Sequence, residues 1–402
     1  MFFYIALTIL ALIYGFTGWR LIVPASIDPV WKVLAWVAVV IFFVLAPLPI
    51  LLRFAGVEAR WVDRLSWVAY TSMGFFVLLF VILAVRDLLW LAGLTTKKTA
   101  DMIGGNPRNP ARYGGLFDPD RRRFLINTSN LGVLVLTGSL STYGFWASRR
   151  RPVVKEVTVA LSDLPADFEG FRIVQITDLH LGPTIKRDWM QMVVDQANAL
   201  SADVIAVTGD LVDGPVPYLK DDVAPIAELR APHGVCFITG NHEYYSGVLP
   251  WIEEIRRLGL TVLLNEHRVI ERGSARMLLA GVTDYHGGYS IPGQASDPVG
   301  AMSGAPPCSP KILLAHQPNS IFVSSKAGYD LQISGHTHGG QFFPGNWLAR
   351  MAQPYIRGLH KHDNTWIYVS CGTGYWGPPL RLGAPSEITV IKLTRAVVSS
   401  LS

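Results

Sequence analysis

The chain has 402 residues, of which 50% are hydrophobic and only 16% are charged. This composition excludes a disordered chain, a collagen-like chain and a small disulfide-stabilised domain, and it argues against one ordinary soluble domain. The three cysteines, Cys236, Cys308 and Cys371, lie far apart without a CxxC pair, so neither a thiolate zinc site nor a disulfide framework is predicted.

Charge divides the chain into two parts. Residues 1–155 carry 17 Lys and Arg against 7 Asp and Glu, whereas residues 156–402 carry 18 against 23. All ten histidines follow residue 179. The basic charge lies at the edges of the apolar first part, which indicates membrane flanks rather than a nucleic-acid surface. No nucleic-acid partner is expected.

Four uncharged stretches in the first part predict transmembrane helices: residues 1–19, 33–52, 65–85 and 124–148. Each has about 18 residues or more, enough to cross about 30 Å of hydrocarbon as a helix. Buried helices of a soluble protein are the alternative, but no amphipathic segment remains to cover them. We therefore predict a multi-pass transmembrane region over residues 1–151 and a separate domain over residues 152–402.

The orientation of that domain follows from the basic loop predicted over residues 95–120 and the flank after it. Lys97, Lys98 and Arg121–Arg123 place the loop in the cytoplasm by the positive-inside rule, and the domain is then extracytoplasmic. Arg149–Arg151 favour the opposite orientation. The run RRRFL at 121–125 resembles a twin-arginine export signal, with a plain basic flank as an equal alternative.

Short apolar strands alternate with amphipathic helices after residue 151. The predicted strands are 171–177, 203–208, 234–239, 261–264, 276–281, 311–315, 331–334, 366–370 and 387–393. The predicted helices are 186–200, 222–230 and 250–258, and residues 285–310, rich in Gly, Pro and Ser, are predicted to form a surface loop. Strand–helix alternation followed by strand-rich sequence predicts an α/β sandwich of mixed sheets with flanking helices.

Metal-binding residue types follow five of these strands. The candidates are Asp178, His180, Asp210, Asn241, His316, His336 and His338. In open α/β sheets, sites form at the carboxyl ends of strands, and these donors suit Zn, Mn, Fe, Co or Ni. Neighbours two positions apart would face opposite ways in a regular strand, so Asp-x-His and His-x-His are expected in loops. Seven ligands are too many for one ion and suit two ions that share a carboxylate.

The series DLH, GD, GNHE, H and GHTH resembles the calcineurin-like metallophosphoesterase family. It occurs in this order, with spacings of 32, 31, 75 and 20 residues between Asp178, Asp210, Asn241, His316 and His336. The resemblance covers residues 156–395. GHTHGGQ at 335–341 and PLRL at 379–382 resemble a membrane-anchored bacterial branch. The family implies a four-layer α/β/β/α sandwich that hydrolyses phosphate esters.

The resemblance also implies two divalent metal ions, drawn from Mn, Zn, Fe and Ni. It assigns Asp178, His180 and His338 to one ion, Asn241, His316 and His336 to the other, and Asp210 to both. His242 resembles the histidine that contacts the phosphoryl group or protonates the leaving oxygen. A hydroxide shared by the ions would then attack phosphorus.

Further residues have less specific roles. Arg381 offers a guanidinium fork that matches two phosphate oxygens, with a salt bridge at the core edge as an equal alternative. Asp213 and Asp284 would either hold ligand imidazoles or cap loops. Five aromatic residues would either line a substrate pocket or only pack in the fold: Tyr244, Tyr245, Tyr285, Tyr375 and Trp376. No metal-binding role is predicted for the five histidines that match no motif, which are expected to lie on the surface or around the ligands: His233, His267, His286, His360 and His362.

These features predict a membrane-anchored, dinuclear phosphoesterase. A phosphodiester or phospholipid-type substrate is favoured because the membrane anchor confines the site to the bilayer surface. One alternative is a pyrophosphatase that acts on a nucleotide-linked lipid precursor. Another is a non-catalytic sensor or transporter subunit that only binds metal and phosphate, and turnover distinguishes it from both enzymes.

Overall fold

The computed structural model describes residues 2–103 and 119–396. It divides into two compact units, residues 1–145 and 146–402, close to the boundary predicted after residue 151. Met1 of the first predicted span and residues 397–402 of the predicted domain lie outside the described residues.

The first unit is helical. Its helices are α1 (Phe2–Ile22), α2 (Pro29–Leu45), α3 (Leu48–Phe54), α4 (Arg60–Ile103) and α5 (Pro119–Arg149), the last of which ends in the second unit. Within residues 2–103 and 119–396, four stretches are long and apolar enough to span a membrane: Tyr4–Ile22, Pro29–Phe54, Arg60–Gly93 and Arg123–Arg149. Helix α4 continues through Ile103, so the first part of the loop predicted over 95–120 is helical. Residues 104–118 of that loop lie outside the described residues.

The second unit contains two six-stranded sheets. Its strands are β1 (Val153–Leu161), β2 (Arg172–Ile176), β3 (Val204–Thr208), β4 (Val235–Ile238), β5 (Thr261–Val262), β6 (Glu266–Arg272), β7 (Ala275–Gly281), β8 (Lys311–Leu314), β9 (Leu331–Ser334), β10 (Gly358–His362), β11 (Thr365–Val369) and β12 (Glu387–Arg395). The orders are β1-β12-β2-β3-β4-β5 and β10-β11-β9-β8-β7-β6. Strands β2 to β5 are parallel, as are β7, β8, β9 and β11. Both sheets are mixed, as predicted.

Seven α-helices lie within the described residues of this unit. They are α6 (Arg187–Asn198), α7 (Val216–Val223), α8 (Asn241–Ser246), α9 (Val248–Arg257), α10 (Gly287–Ser290), α11 (Ile321–Ala327) and α12 (Gly345–Ala352). The helix predicted over 222–230 is misplaced. Helix α7 ends at Val223, and a short 3₁₀ helix over Ala224–Glu228 contains Pro225, which an α-helix interior does not accommodate.

Alternating side chains build the core of the second unit. In β3, Val204 and Ala206 face the second sheet, whereas Ile205 and Val207 pack under the helices. The sheets therefore bury a common apolar layer between them. Helices α6, α7 and α9 cover the outer face of the first sheet, and α11 covers part of the second. The carboxyl ends of β2, β3, β4, β8, β9 and β11 meet at one edge of this core.

Candidate metal centre

The candidate ligands follow these strand ends, and six of the seven, all except Asn241, form two close groups. In the first, donor atoms of Asp178, His180 and His338 lie within 4.8 Å of one another. The Nε2 atoms of His180 and His338 are 3.0 Å apart, and His338 Nε2 lies 3.6 Å from Asp178 Oδ1. A carboxylate and two imidazoles that converge at this spacing are a donor set that a divalent ion accepts.

Asp210 joins this group to a second one. The second group contains Asp210, His316 and His336, again with donor atoms within 4.8 Å. Asp210 Oδ2 lies 3.0 Å from His316 Nε2 and 3.9 Å from His180 Nε2, so one carboxylate oxygen is close to an imidazole of each group. A carboxylate in this position can serve two cations.

Among the described residues, two buried donor atoms of the candidate ligands have no hydrogen-bond partner, Asn241 Oδ1 and His336 Nδ1, and a third, His316 Nε2, has only Asp210 Oδ2 close by, at 3.0 Å. Burying polar atoms without partners is costly, and such atoms call for an explanation by an ion or water. All three belong to residues expected to bind one metal. The donor set therefore fits a divalent cation beside Asp210.

Backbone conformation explains how closely spaced side chains reach one centre. Nine non-glycine residues have positive φ among those that the structure describes, and five are candidate ligands. They are Asp178, His180, Asp210, His336 and His338, with φ between 51° and 72°. A left-handed conformation costs about 1–2 kcal/mol for a residue with a side chain, and such strain concentrates at functional sites. The left-handed conformation ends the alternation of side chains that a strand imposes, so that Asp178 and His180 both point toward one centre.

Asp213 holds two imidazoles at once. Its Oδ1 lies 3.0 Å from Nδ1 of His180 and 2.6 Å from Nδ1 of His242. An imidazole that donates Nδ1–H to a carboxylate leaves Nε2 available to a metal or substrate. Asp213 thus orients one candidate ligand and the candidate proton donor. Asp284 instead accepts from the backbone N of His286 and from Gln317 Nε2, as a loop cap does.

Glu243 is a residue whose role the sequence did not reveal, although it belongs to the GNHE motif. Its buried carboxylate accepts from the backbone N–H groups of Asp210, Leu211 and Gly240 at 3.0, 2.7 and 2.6 Å. The last bond is the reach-back contact of a helix N-terminus, because Glu243 is the third residue of α8. Glu243 therefore ties the loop after β3 to the loop after β4.

The guanidinium of Arg381 is not placed as a phosphate clamp. The residue is only 1% exposed and donates to the carbonyls of Gly374, Cys371 and Ala384. Its Nη2 also lies 3.1 Å from His338 Nδ1. These contacts are to backbone carbonyls and an imidazole, and within the described residues none is to a carboxylate, so the predicted salt bridge is not formed. They hold the loop after β11 against a candidate ligand.

Burial and charge set the protonation of the site. Burial, reinforced by neighbouring imidazoles, lowers the pKa of His336 to about 3 and that of His338 well below its usual value. Both imidazoles are thus neutral, as metal ligation requires. Burial opposes charge on His242, but the carboxylates of Asp210 and Asp213 outweigh it and raise the pKa of His242 to about 9.

Four of the five aromatic candidates separate into two sets, and the fifth, Tyr285, is exposed with its ring 5.1 Å from that of His286. Tyr375 is buried and its hydroxyl donates to Thr184 O, and Tyr244 donates to Gln294, so these two pack. Tyr245 and Trp376 are exposed, and their rings lie 5.3 and 5.5 Å from the ring of His242. They flank the candidate proton donor. The five histidines for which no metal-binding role is predicted belong to neither donor group.

Comparisons with known proteins agree with this geometry. Residues 171–340 match the family model described as calcineurin-like phosphoesterase. A metallophosphoesterase of Helicobacter pylori is 37% identical over 281 residues, which cover 69% of this chain and 73% of that protein. The chain belongs to the calcineurin-like metallophosphoesterase family. The predicted resemblance is therefore confirmed.

Animal proteins are similar as well. A Bos taurus protein named transmembrane protein with metallophosphoesterase domain is 37% identical over 342 residues, or 82% of this chain and 74% of its own length. Its Danio rerio namesake is 36% identical over 271 residues, or 65% and 62%. This family member is a metal-dependent phosphoric ester hydrolase, and with its four apolar helices it is a multi-pass membrane protein.

Proposed function

We propose that this metallophosphoesterase hydrolyses a phosphodiester or phospholipid-type substrate at a centre of two divalent cations. The observation that supports this proposal is the position of Asp210 Oδ2, which lies within 4 Å of an imidazole from each donor group. Asp178, His180 and His338 would hold one cation, Asn241, His316 and His336 the other, and Asp210 both.

When bound, two cations supply Lewis acidity toward the phosphoryl oxygens and acidify water. The chain positions the other participants. Asp213 engages His242 Nδ1, and Asp210 Oδ1 accepts from the His242 backbone N at 2.8 Å, so the imidazole is fixed at both its ring and its backbone. This leaves His242 Nε2 to protonate the leaving oxygen, a role of general acids.

The central test uses the whole chain in detergent, stripped of metal and refilled with single divalent ions. We expect hydrolysis of an activated aryl phosphodiester and about two metal ions per chain. Asp210→Asn should abolish turnover and reduce metal content. The matched control is Asp203→Asn at the opposite end of β3, where the side chain caps Arg172 N and an amide oxygen can still accept. If the chain binds metal but shows no turnover with any of the ions tested, the result would favour the alternative of a non-catalytic subunit that only binds metal and phosphate.

We also propose that the phosphoesterase domain is extracytoplasmic. The proposal rests on Lys97, Lys98 and Arg121–Arg123 between the third and fourth spans. Paired reporters fused after Ser402, one active only in the cytoplasm and one only outside it, test it. A signal from the cytoplasmic reporter alone would reverse the orientation.

A further inference from the structure

Helix α12 exposes its large apolar side chains. Trp347, Leu348 and Met351 are 66%, 58% and 78% exposed, and no residue of the helix is buried. Met351 lies four residues after Trp347 and three after Leu348, and positions three and four apart lie on one side of a helix, so the three side chains form one apolar face. Asn346 packs against Gly340 so closely that a Cβ added to Gly340 would overlap the backbone of Asn346. A helix of a soluble domain has the opposite arrangement.

The loops of the candidate metal centre hold this helix at both ends. At its start, Gly340, which contacts Asn346, lies two residues after His338. At its end, Gln353 donates to Gln317 Oε1 at 3.3 Å, and Gln317 follows His316. The apolar face, which we define as Phe343, Trp347, Leu348 and Met351, therefore adjoins the loops of the candidate metal centre without belonging to it.

The segment that carries the apolar face is basic, although the domain is acidic. Between Asp330 and Asp363 the chain has Arg350, Arg357 and Lys361 and no acidic residue, whereas residues 156–402 carry 18 basic and 23 acidic residues. Arg350 and Lys361 are exposed. Trp, Leu and Met beside Arg are the composition of helices that lie in the membrane interface. Basic side chains add attraction to anionic headgroups.

We propose that the apolar face of α12 docks on an anionic phospholipid bilayer. The helix would lie in the headgroup layer, with Arg350 at the phosphates and Trp347, Leu348 and Met351 among the first acyl carbons. Docking would bring the loops that carry His316 and His338 to the headgroup phosphates. It would select phosphate esters that are presented at a membrane surface.

A fluorescent probe measures the docking without any need for turnover. The full chain is reconstituted into bilayers as Leu348→Cys in a Cys308→Ser background, since Cys236 and Cys371 are buried, and it is labelled with an environment-sensitive fluorophore. Ser274→Cys is the matched control, because this exposed turn precedes β7, at the end of the sheet opposite the site. We expect a blue shift and quenching by brominated lipid at position 348 only, both stronger with phosphatidylglycerol than with phosphatidylcholine.

Two results would overturn the proposal. A probe at position 348 that stays as hydrated as the probe at position 274 would show that no bilayer covers the face. A blue shift without quenching by brominated lipid would show that a second protein copy covers it instead. Failure of the proposed enzymatic function would leave this measurement unaffected, since binding is read without substrate.

A kinetic comparison, which rests on the proposed function, tests the consequence for substrate choice. Trp347→Glu with Met351→Glu should lower hydrolysis of a bilayer-embedded phosphodiester about tenfold or more. Hydrolysis of a water-soluble aryl phosphodiester and the thermal midpoint should stay unchanged, because these side chains are exposed. An equal loss on both substrates would indicate damage to the site and contradict a docking role.

Discussion

At the residue scale, the contacts of Asp213 and Arg381 show that the centre depends on side chains that need not bind metal. Asp213 engages Nδ1 of His180 and His242, and Arg381 lies against His338. Partners of ligand imidazoles fix ring orientation, and their loss typically costs 10–100-fold in metal affinity or activity. Two predictions follow from these contacts.

His242→Ala should lower turnover by about 10²-fold or more, because it removes the proposed proton donor. Metal content should be retained, since His242 is not assigned to either cation. Steady-state kinetics and metal analysis of the purified chain measure both. His233→Ala is the control, because His233 precedes β4 as His242 follows it. Unchanged turnover in His242→Ala would remove the residue from the mechanism.

Arg381→Lys should weaken metal binding at the first group by about 10-fold or more, because an ammonium cannot reproduce the guanidinium fork. KM for an aryl phosphodiester should change little once metal is saturating. The control is Arg357→Lys, which bonds the carbonyl of nearby Gly383 from an exposed position. Higher KM with unchanged metal affinity would instead restore the phosphate-clamp role for Arg381.

At the scale of elements, the site is built by turns that the ends of parallel strands bring together. The turn after β4 approaches the turn after β3 so closely that a Cβ on Gly240 would overlap Asp210 Oδ1. Glycine is required there because of this approach and not because of its own φ, which is −102°. The added Cβ would displace the side chain of Asp210, whose carboxylate lies within 4 Å of an imidazole from each donor group.

Gly240→Ala should therefore displace the Asp210 carboxylate and lower turnover about 100-fold, as misplacement near a reacting centre does. Gly328→Ala serves as control, because it adds strain at φ 83° with nothing within 4 Å of the new Cβ. It should lower the thermal midpoint without lowering turnover per folded molecule. Similar turnover in the two variants would mean that the contact between the turns is unimportant.

The elements also show how far sequence reasoning reaches. Strands β2, β3, β4, β8 and β9 were predicted because each is a short buried apolar run followed by a motif. Strands β1, β6 and β10 escaped prediction because they are edge strands with exposed polar positions. The candidate ligands were recognisable from residue type and spacing. The contact of Asp213 with a ligand imidazole matches one of its two predicted roles, whereas the contacts of Glu243 and Arg381 are not predictable, because they are with amides and carbonyls contributed by other loops.

At the scale of the whole molecule, metal binding should be linked to the folding of the second unit. A ligand that binds only the folded state at about 100 times its Kd adds about 2.7 kcal/mol of stability. For a domain of this size, chelation should then lower the thermal midpoint by about 5–10 °C. Thermal unfolding of the full chain in detergent, with chelator or with saturating Mn, measures this shift. Asp210→Asn should remove it, and a shift that persists in that variant would place the stabilising ion elsewhere.

Five of the residues assigned to the cations adopt left-handed backbone conformations that asparagine or glycine would tolerate better. Selection for heat resistance alone would therefore tend to replace the very side chains that give the protein its chemistry. Mutagenesis that aims to raise the thermal stability of this hydrolase should leave these five positions unchanged. A more stable variant obtained there would have lost a side chain assigned to the cations, and with it the activity.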